Sequence, residues 1–576
     1  MQVRGRAGTS AMASRGIKKR RRNQASSARG NVATATPAPV SPGVQVARAR
    51  PAASGWIISP FWDSVLFIGA PAVSIAILFP LSLFWESGEY AVFLLAFLTF
   101  GHHFPGFVRA YGDRELFWRY KWRFLLAPPL FFAAAYWFED RGLHGILMLG
   151  FTWDIWHVLM QHYGFMRIYD AKQQEIGTLT ARLDWLFSIS GYLALIIASP
   201  HYRNNLLYLA YQSGIPVLPM GLFTFLQNLI YLVALVSAVA YVGYTVYLWR
   251  QGRHNIRKLA ALAFFMSATY YLYIYNHDFV VGFAVWSGFH CLQYYGIVWA
   301  FNRSRVERGG EVTRFVRFLF RPKVGLAILY SSLIFAYGGL DYLKNFLDGG
   351  TVRTLLGSFI GASTILHYYF DGFIWKVREK DTREPLNIDI TAGEPGLVKS
   401  SAQTLRTWAR RLLPSYKKGL YQAGYVMAFL VLVGSLETRR PNDDLTMHRA
   451  LATVAAGAEE AHLRLGESLS VRGQTTEALG AYRQAVELNP EYAKAHVMLG
   501  VTLASLGRID EAVEAYRQAL EFQPGNAVGH FNLAAVLEGQ GHAEEALHHY
   551  QQATQGADSR AEQLAREAIL RLQTQR

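Results

Sequence analysis

The sequence predicts an all-α protein, a polytopic transmembrane helical bundle of about 11 spans followed by an α-solenoid. Three observations carry that expectation. Apolar runs of membrane-spanning length recur through residues 56–440. Lys and Arg alternate between dense and bare in the segments joining them. After residue 459 a 34-residue period takes over.

The apolar runs lie near 64–84, 91–111, 124–138, 144–166, 183–199, 224–249, 259–275, 279–301, 324–340, 353–375 and 420–436. With 52% apolar, 14% aromatic and only 17% charged residues in 576, the chain is too hydrophobic for an ordinary soluble protein. Residues 1–50 hold eleven Lys or Arg and no acid, including the run Lys18 to Arg22, so 1–55 reads as a disordered basic tail. With that tail inside, the inner segments carry four basic residues at 112–123, three at 167–182, four at 250–258, seven at 303–323 and ten at 376–418. The outer segments carry none at 85–90, Arg141 at 139–143, Arg203 at 200–223 and none at 276–278. The positive-inside rule then gives a cytoplasmic N-terminus and a periplasmic C-terminus in a bacterial inner membrane. The net charge of +16 is spread over these segments and the tail, which argues against a nucleic-acid partner. Cys291 is the sole cysteine and lies in an apolar run, which excludes disulfides and a zinc-thiolate site.

The C-terminal period is tight. Gly466 and Gly500; Ala478, Ala512 and Ala546; Tyr482, Tyr516 and Tyr550; Ala485, Ala519 and Ala553; and Pro490 and Pro524 all recur every 34 residues. Two repeats read AHLRLGESLSVRGQTTEALGAYRQAVELNP and AHVMLGVTLASLGRIDEAVEAYRQALEFQP. This pattern resembles the tetratricopeptide repeat (TPR) family, which implies paired helices stacked into a solenoid and a protein or peptide partner. Three repeats are expected over 459–560 and a capping helix over 561–576, with 441–458 as a linker. His462, His496 and His530 stand where the family usually has an aromatic residue.

Six histidines fall inside the apolar runs: His102 and His103 in the second, His157 and His162 in the fourth, His290 in the eighth and His367 in the tenth. An ionisable group in hydrocarbon is a functional candidate, because it is costly unless it finds a partner. All six are expected in one layer near the cytoplasmic face, on four helices of the same direction. Asp154, His157 and Gln161 are spaced i, i+3, i+7 on one helical face, and His367 and Asp371 are i, i+4. His162 lies about 140° around the helix from His157. Pro105 is expected to disrupt the helix beside His102 and His103.

Six imidazoles with carboxylates and no thiolate suit a metal ion, iron first, with zinc and copper as alternatives. In this reading all six histidines are ligands, Asp154 and Asp371 are supporting or bridging carboxylates, and Gln161 and Gln293 complete the polar catalytic set. The cluster is similar in kind to the membrane histidine-cluster oxygenases and desaturases, although the HxxxH and HxxHH boxes of desaturases are absent from these runs. That resemblance implies a metal-dependent oxidase, desaturase or hydroxylase of a lipid or other apolar substrate. Structural hydrogen bonding and a proton or ion pathway remain open for the same residues. Arg109, Arg167, Arg303, Lys376 and Arg378, where these helices end, read as interfacial anchors or as a cationic rim for an anionic headgroup.

Two further classes stay open. Eleven spans followed by external repeats is similar in plan to lumenal O-mannosyltransferases and some bacterial glycan ligases, polyprenyl-sugar-dependent enzymes that carry acids on their first external loop. Here that loop is WESGEY, with Glu86 and Glu89. A transporter or assembly scaffold, with histidines relaying protons, is the other.

Overall fold

The computed structural model describes residues 55–575 except 176, 277, 348, 376–379, 387, 389–414, 440–442 and 557. Nearly all of the basic tail expected over 1–55, and most of the basic segment 376–418, lie outside the described residues. Among those described there are helices and no strand, save one isolated bridge between Asp113 and Val312.

Every expected apolar run is helical. The first is bent by 63° at Gly69, where a π-helical turn, Ser64–Ile68, gives way to α1, Ala70–Leu81. The second comprises α2 (Ser87–Leu94), a π-helical stretch Leu95–Phe100 and α3 (His103–Gly112). There follow α4 (Arg114–Asp140), α5 (Gly145–Lys172), α6 (Thr178–Ala198), α7 (Pro200–Gln212), α8 (Met220–Arg250), α9 (Ile256–Tyr270), α10 (Phe279–Glu307), α11 (Val324–Lys344), α12 (Gly350–Ile374) and α13 (Ser415–Arg439).

The count of about eleven spans is corrected. Four stretches among the described residues are long and apolar enough to cross a membrane by themselves: Ser87–Gly112, α6, α8 and α11. The bent pair Pro60–Ile68 and Ala70–Phe84 makes a fifth if taken as one. The other long helices fall short because polar residues interrupt them. In α5 alone, Asp154, His157, Gln161, His162, Arg167 and Asp170 lie within 28 residues.

Burial sorts the helices. In α10, 17 of 29 residues are buried, among them Trp286, His290 and Gln293, so this helix runs through the centre of the bundle. In α8 only Phe223, Ser237 and Tyr241 of 31 residues are buried, and Leu222, Phe225, Leu229, Leu232, Leu235 and Val239 face outward.

Two elements differ from expectation. Residues 200–223, read as an outer loop, contain α7, because Ser199 accepts the Tyr202 N–H and Pro200 sits at the first helical position, where its missing donor is harmless. The expected linker 441–458 contains α14, Asp444–Val454, capped by the Asp443 carboxylate on the Thr446 N–H. Tyr211 of α7 packs with Met447, Leu451, Ala455 and Ala458, so a shared apolar row orders both segments. The Arg464 guanidinium lies 3.7 Å from the Tyr208 ring centroid, and His201 Nδ1 is 3.3 Å from Glu459. Burial, and then the charge of Arg464, hold the His448 imidazole below its usual range.

At the end of α13, buried Glu437 accepts the backbone N–H groups of His144 and Gly145, the latter at 2.8 Å, and lies 3.0 Å from His144 Nδ1. A carboxylate on free N–H groups at a helix start also complements the helix dipole, so α13 closes the start of α5.

The repeats are α15 (Glu459–Val471) and α16 (Thr475–Leu488), α17 (Ala493–Ser505) and α18 (Ile509–Phe522), and α19 (Ala527–Gly539) and α20 (Ala543–Ala553), followed by α21 (Ser559–Gln575). Their period has a steric cause. A Cβ on Gly466 or Gly500 would lie 2.5 or 2.6 Å from the ring of Tyr482 or Tyr516. The histidines at the usual aromatic position bond backbone instead: Nε2–H of His462, His496 and His530 donates to the carbonyls of Ala456, Pro490 and Pro524 at 3.0, 2.7 and 2.8 Å.

Glu437→Ala is expected to destabilise the protein by about 1–3 kcal/mol, because buried donors lose their acceptor. Its thermal midpoint in detergent should fall, while exposed Glu491→Ala should leave it in place.

Candidate metal centre

His102 lies where the π-helical stretch ends and α3 begins, at the turn formed by Gly101 and His102. The local break comes from this turn. Pro105, expected to cause it, sits in the first turn of α3, where its missing N–H costs nothing. His157, His290 and His367 project from the interiors of α5, α10 and α12.

These four residues converge. One nitrogen from each of His102, His157, His290 and His367 lies within 4.8 Å of the other three. His290 Nε2 is 3.2 Å from His102 Nε2, and His367 Nε2 is 3.3 Å from His157 Nε2. The Nδ1 of His102 faces the Thr99 carbonyl, which only accepts. Neutral His102 therefore carries its proton on Nδ1 and turns the Nε2 lone pair into the cluster.

The other expected residues are placed unequally. His103 stacks on His367 with ring centroids 4.7 Å apart and its Nδ1 bonds the Ser363 hydroxyl at 3.0 Å; its Nε2 has no partner among the described residues and is not one of the four nitrogens that meet. His162 points elsewhere, stacked on Phe265 at 4.1 Å, because five residues of helix rotate it away from His157. Gln161 donates to the His290 carbonyl at 3.1 Å and to Gln293 Oε1 at 3.3 Å, and Gln293 donates to the Phe67 carbonyl at 2.9 Å. These amides tie helices together beside the cluster.

Of the two carboxylates expected as supporting or bridging groups, neither accepts a ring N–H from the side away from the cluster. Asp371 Oδ2 lies 3.7 Å from the Nε2 atoms of both His157 and His367, on the inner side of the cluster. Its Oδ1 accepts the Tyr294 hydroxyl at 2.9 Å, and Trp375 Nε1 donates to the same hydroxyl oxygen at 3.3 Å. Asp154 accepts the Tyr368 hydroxyl at 2.9 Å, and its other oxygen has no partner among the described residues. Tyr294, Tyr368 and Thr99 were not among the residues singled out by sequence. Tyrosine is abundant in these helices, and spacing along one helix does not reveal a partner on another.

The donor set fits one ion. A tetrahedral centre with imidazole bonds of about 2.05 Å has ligand edges of about 3.3 Å, close to the His102–His290 and His157–His367 separations, while the remaining pairs lie within 4.8 Å. Four imidazoles and one carboxylate suit iron, zinc or copper. Thr99 supplies the supporting acceptor for His102, whereas His290 Nδ1 and His367 Nδ1 have none among the described residues. The spacing of 3.2–3.3 Å is also that of a long imidazole–imidazole hydrogen bond.

The described cations at the helix ends, Arg109, Arg167 and Arg303, are engaged. Arg109 is buried between the rings of Phe301 and Trp375, 3.7 and 3.6 Å from their centroids, and donates to the Ile374 carbonyl at 2.7 Å. It is therefore no interfacial anchor. Arg167, which is partly exposed, and buried Lys258 share buried Asp170 and Asp184 in a group of two cations and two carboxylates, and Arg303 pairs with Glu307. Lys376 and Arg378 lie outside the described residues.

Residues 463–527 and 515–548 match models of the tetratricopeptide repeat family. The C-terminal segment is a tetratricopeptide-repeat domain. Solved structures similar to the chain include a crystal structure of MamA, 25% identical with a TM-score of 0.20, covering 27% of this chain and 94% of that one. A second crystal structure of MamA is 27% identical with a TM-score of 0.19, over 24% of this chain and 78% of that one. YrrB, described as a TPR protein with an unusual peptide-binding site, is 21% identical with a TM-score of 0.19, over 28% and 86%. No curated protein matches the chain.

Gly106 lets α3 approach the centre closely, since a Cβ there would lie 2.7 Å from the Tyr294 hydroxyl and 3.1 Å from His367 Nδ1. Gly106→Ala is therefore expected to displace Tyr294 from Asp371 and to cost about 1–3 kcal/mol through overpacking. A lowered thermal midpoint together with altered tyrosine fluorescence would check it; an unchanged midpoint would count against the close approach.

Proposed function

We propose that the chain is an integral membrane metalloprotein, a metal-dependent oxidoreductase of a lipid or other apolar substrate, with a repeat domain that docks a protein or peptide partner. The observation that carries this reading is the convergence of four imidazoles from four apolar runs, with Asp371 beside them, in the buried interior of the bundle. Membrane insertion is supported by the outward apolar surface of α8, because contiguous apolar area on that scale is rare on proteins bathed by water.

His102, His157, His290 and His367 would hold the ion, with Asp371 as a fifth donor oriented by Tyr294. Iron bound there would supply O₂-dependent oxidation; zinc would supply Lewis acidity, and copper also fits the donors. His157 is 9% exposed whereas the other three are fully buried, so it is the ligand on the side of the centre an incoming substrate would meet first. The amides of Gln161 and Gln293 hold α5, α10 and the segment before α1 in register around it.

The repeats are read as periplasmic because they contact segments poor in Lys and Arg. Gln523 donates to Glu86 at 3.0 Å, and His201 pairs with Glu459. Glu86, on which a glycosyltransferase reading depends, is exposed and occupied by this contact. A proton relay is the second reading, favoured by the two imidazole pairs at hydrogen-bond distance.

Elemental analysis of the full chain purified in detergent separates the two. About one metal ion per chain is expected at the four-histidine centre, so the total should fall by that one ion in His157→Ala and His290→Ala and stay unchanged in His162→Ala. Active protein free of metal would overturn the oxidoreductase reading and leave the relay.

A further inference from the structure

The third repeat departs from the first two in its histidines. His462, His496 and His530 occupy one position of the 34-residue period, and each spends its Nε2–H on a backbone carbonyl six residues earlier. That bond leaves the Nδ1 of the neutral ring as a lone pair. In the second repeat, His496 Nδ1 is buried and has no partner among the described residues. In the third, His549 stands where the first two repeats have Ala481 and Ala515. Its Nδ1 lies 3.0 Å from His530 Nδ1, with ring centroids 5.2 Å apart and the planes inclined by 29°. His548 adjoins it, with centroids 5.4 Å apart.

We propose that His530 Nδ1 and His549 Nδ1 form an open two-imidazole site for Zn²⁺ or a similar divalent transition metal on the third repeat. The separation of 3.0 Å is close to the ligand edge of about 3.3 Å at a tetrahedral zinc. The Pro524 carbonyl takes the other ring N–H of His530, the outer-shell partner that fixes the tautomer and orientation of a ligating histidine. His530 comes from α19 and His549 from α20, so packing within one repeat holds both in place. Two protein donors leave further positions to water or to a side chain of the docked partner, which would make binding of that partner sensitive to the metal. The site shares no residue with the four-histidine centre and stands whether or not that centre holds an ion.

The test is a Zn²⁺ titration of the full chain in detergent after chelator treatment, comparing the native sequence with His549→Ala. That substitution installs the residue the other two repeats already carry, so the solenoid should keep its helical circular dichroism. The native chain should bind one more Zn²⁺ than His549→Ala, or bind that equivalent roughly tenfold or more tightly, since even an outer-shell partner is worth about that much. His548→Ala should behave as the native chain does. Identical isotherms for the native chain and His549→Ala would overturn the proposal. If His549→Ala loses helical signal, His549→Phe, which keeps the ring stacked on His530 and removes its nitrogens, decides by the same criterion.

Discussion

An imidazole or carboxylate in an apolar interior is tolerable only when its polar atoms find partners, and the bundle is arranged around that requirement. The four converging histidines come from four separate helices, so no single helix could satisfy them. α5 and α12 are joined three times, by His157 with His367, by Asp154 with Tyr368 and by Asp371 with His157. α10 meets α3 through His290 and His102, and meets α12 through Tyr294 and Asp371. Each link removes a desolvation cost and fixes the register of two helices at once.

The same requirement shapes the rest of the buried polarity. Arg167, Lys258, Asp170 and Asp184 neutralise one another, with Asn255 as a further donor to Asp170, and so lock α5, α6 and α9 together. Such a group is weak evidence for net stability, yet removal of one member strands a buried charge. It differs from the histidine centre in having no vacant donor capacity aimed at a common point. That contrast separates a structural ion group from a ligand set.

The repeat domain obeys a different physics. Its helices are short, its core is mainly Ala and Leu with one Tyr per repeat, and each repeat contacts mainly its neighbours. What ties it to the bundle is a small set of amphipathic elements, with α7 packing against α14 and α15 through Tyr208, Tyr211 and His201. Glu437 at the end of α13 serves the bundle instead, by closing the start of α5. A partner docked on the repeats is thus one helix away from the bundle.

The repeats were fully legible in sequence, because Gly500 against Tyr516 and the buried Ala512 are local steric needs that recur every 34 residues. So were the helices on the eleven apolar runs, since such runs announce themselves by length. Their number as spans was overstated, because length alone does not weigh the polar residues that interrupt helices such as α5, and it treats an outward-facing helix such as α8 and a sheltered one such as α10 alike. The linker and the outer loop hid α14 and α7, whose ordering depends on packing against each other. Six histidines could be singled out, and four helices named. Which nitrogens meet was decided only by tertiary structure: helical rotation carries His162 toward Phe265, Ser363 engages His103, and Tyr294 sets Asp371 against His157 and His367. A one-dimensional pattern records the angle of a side chain about its own helix, whereas a ligand set depends on how four helices face one another.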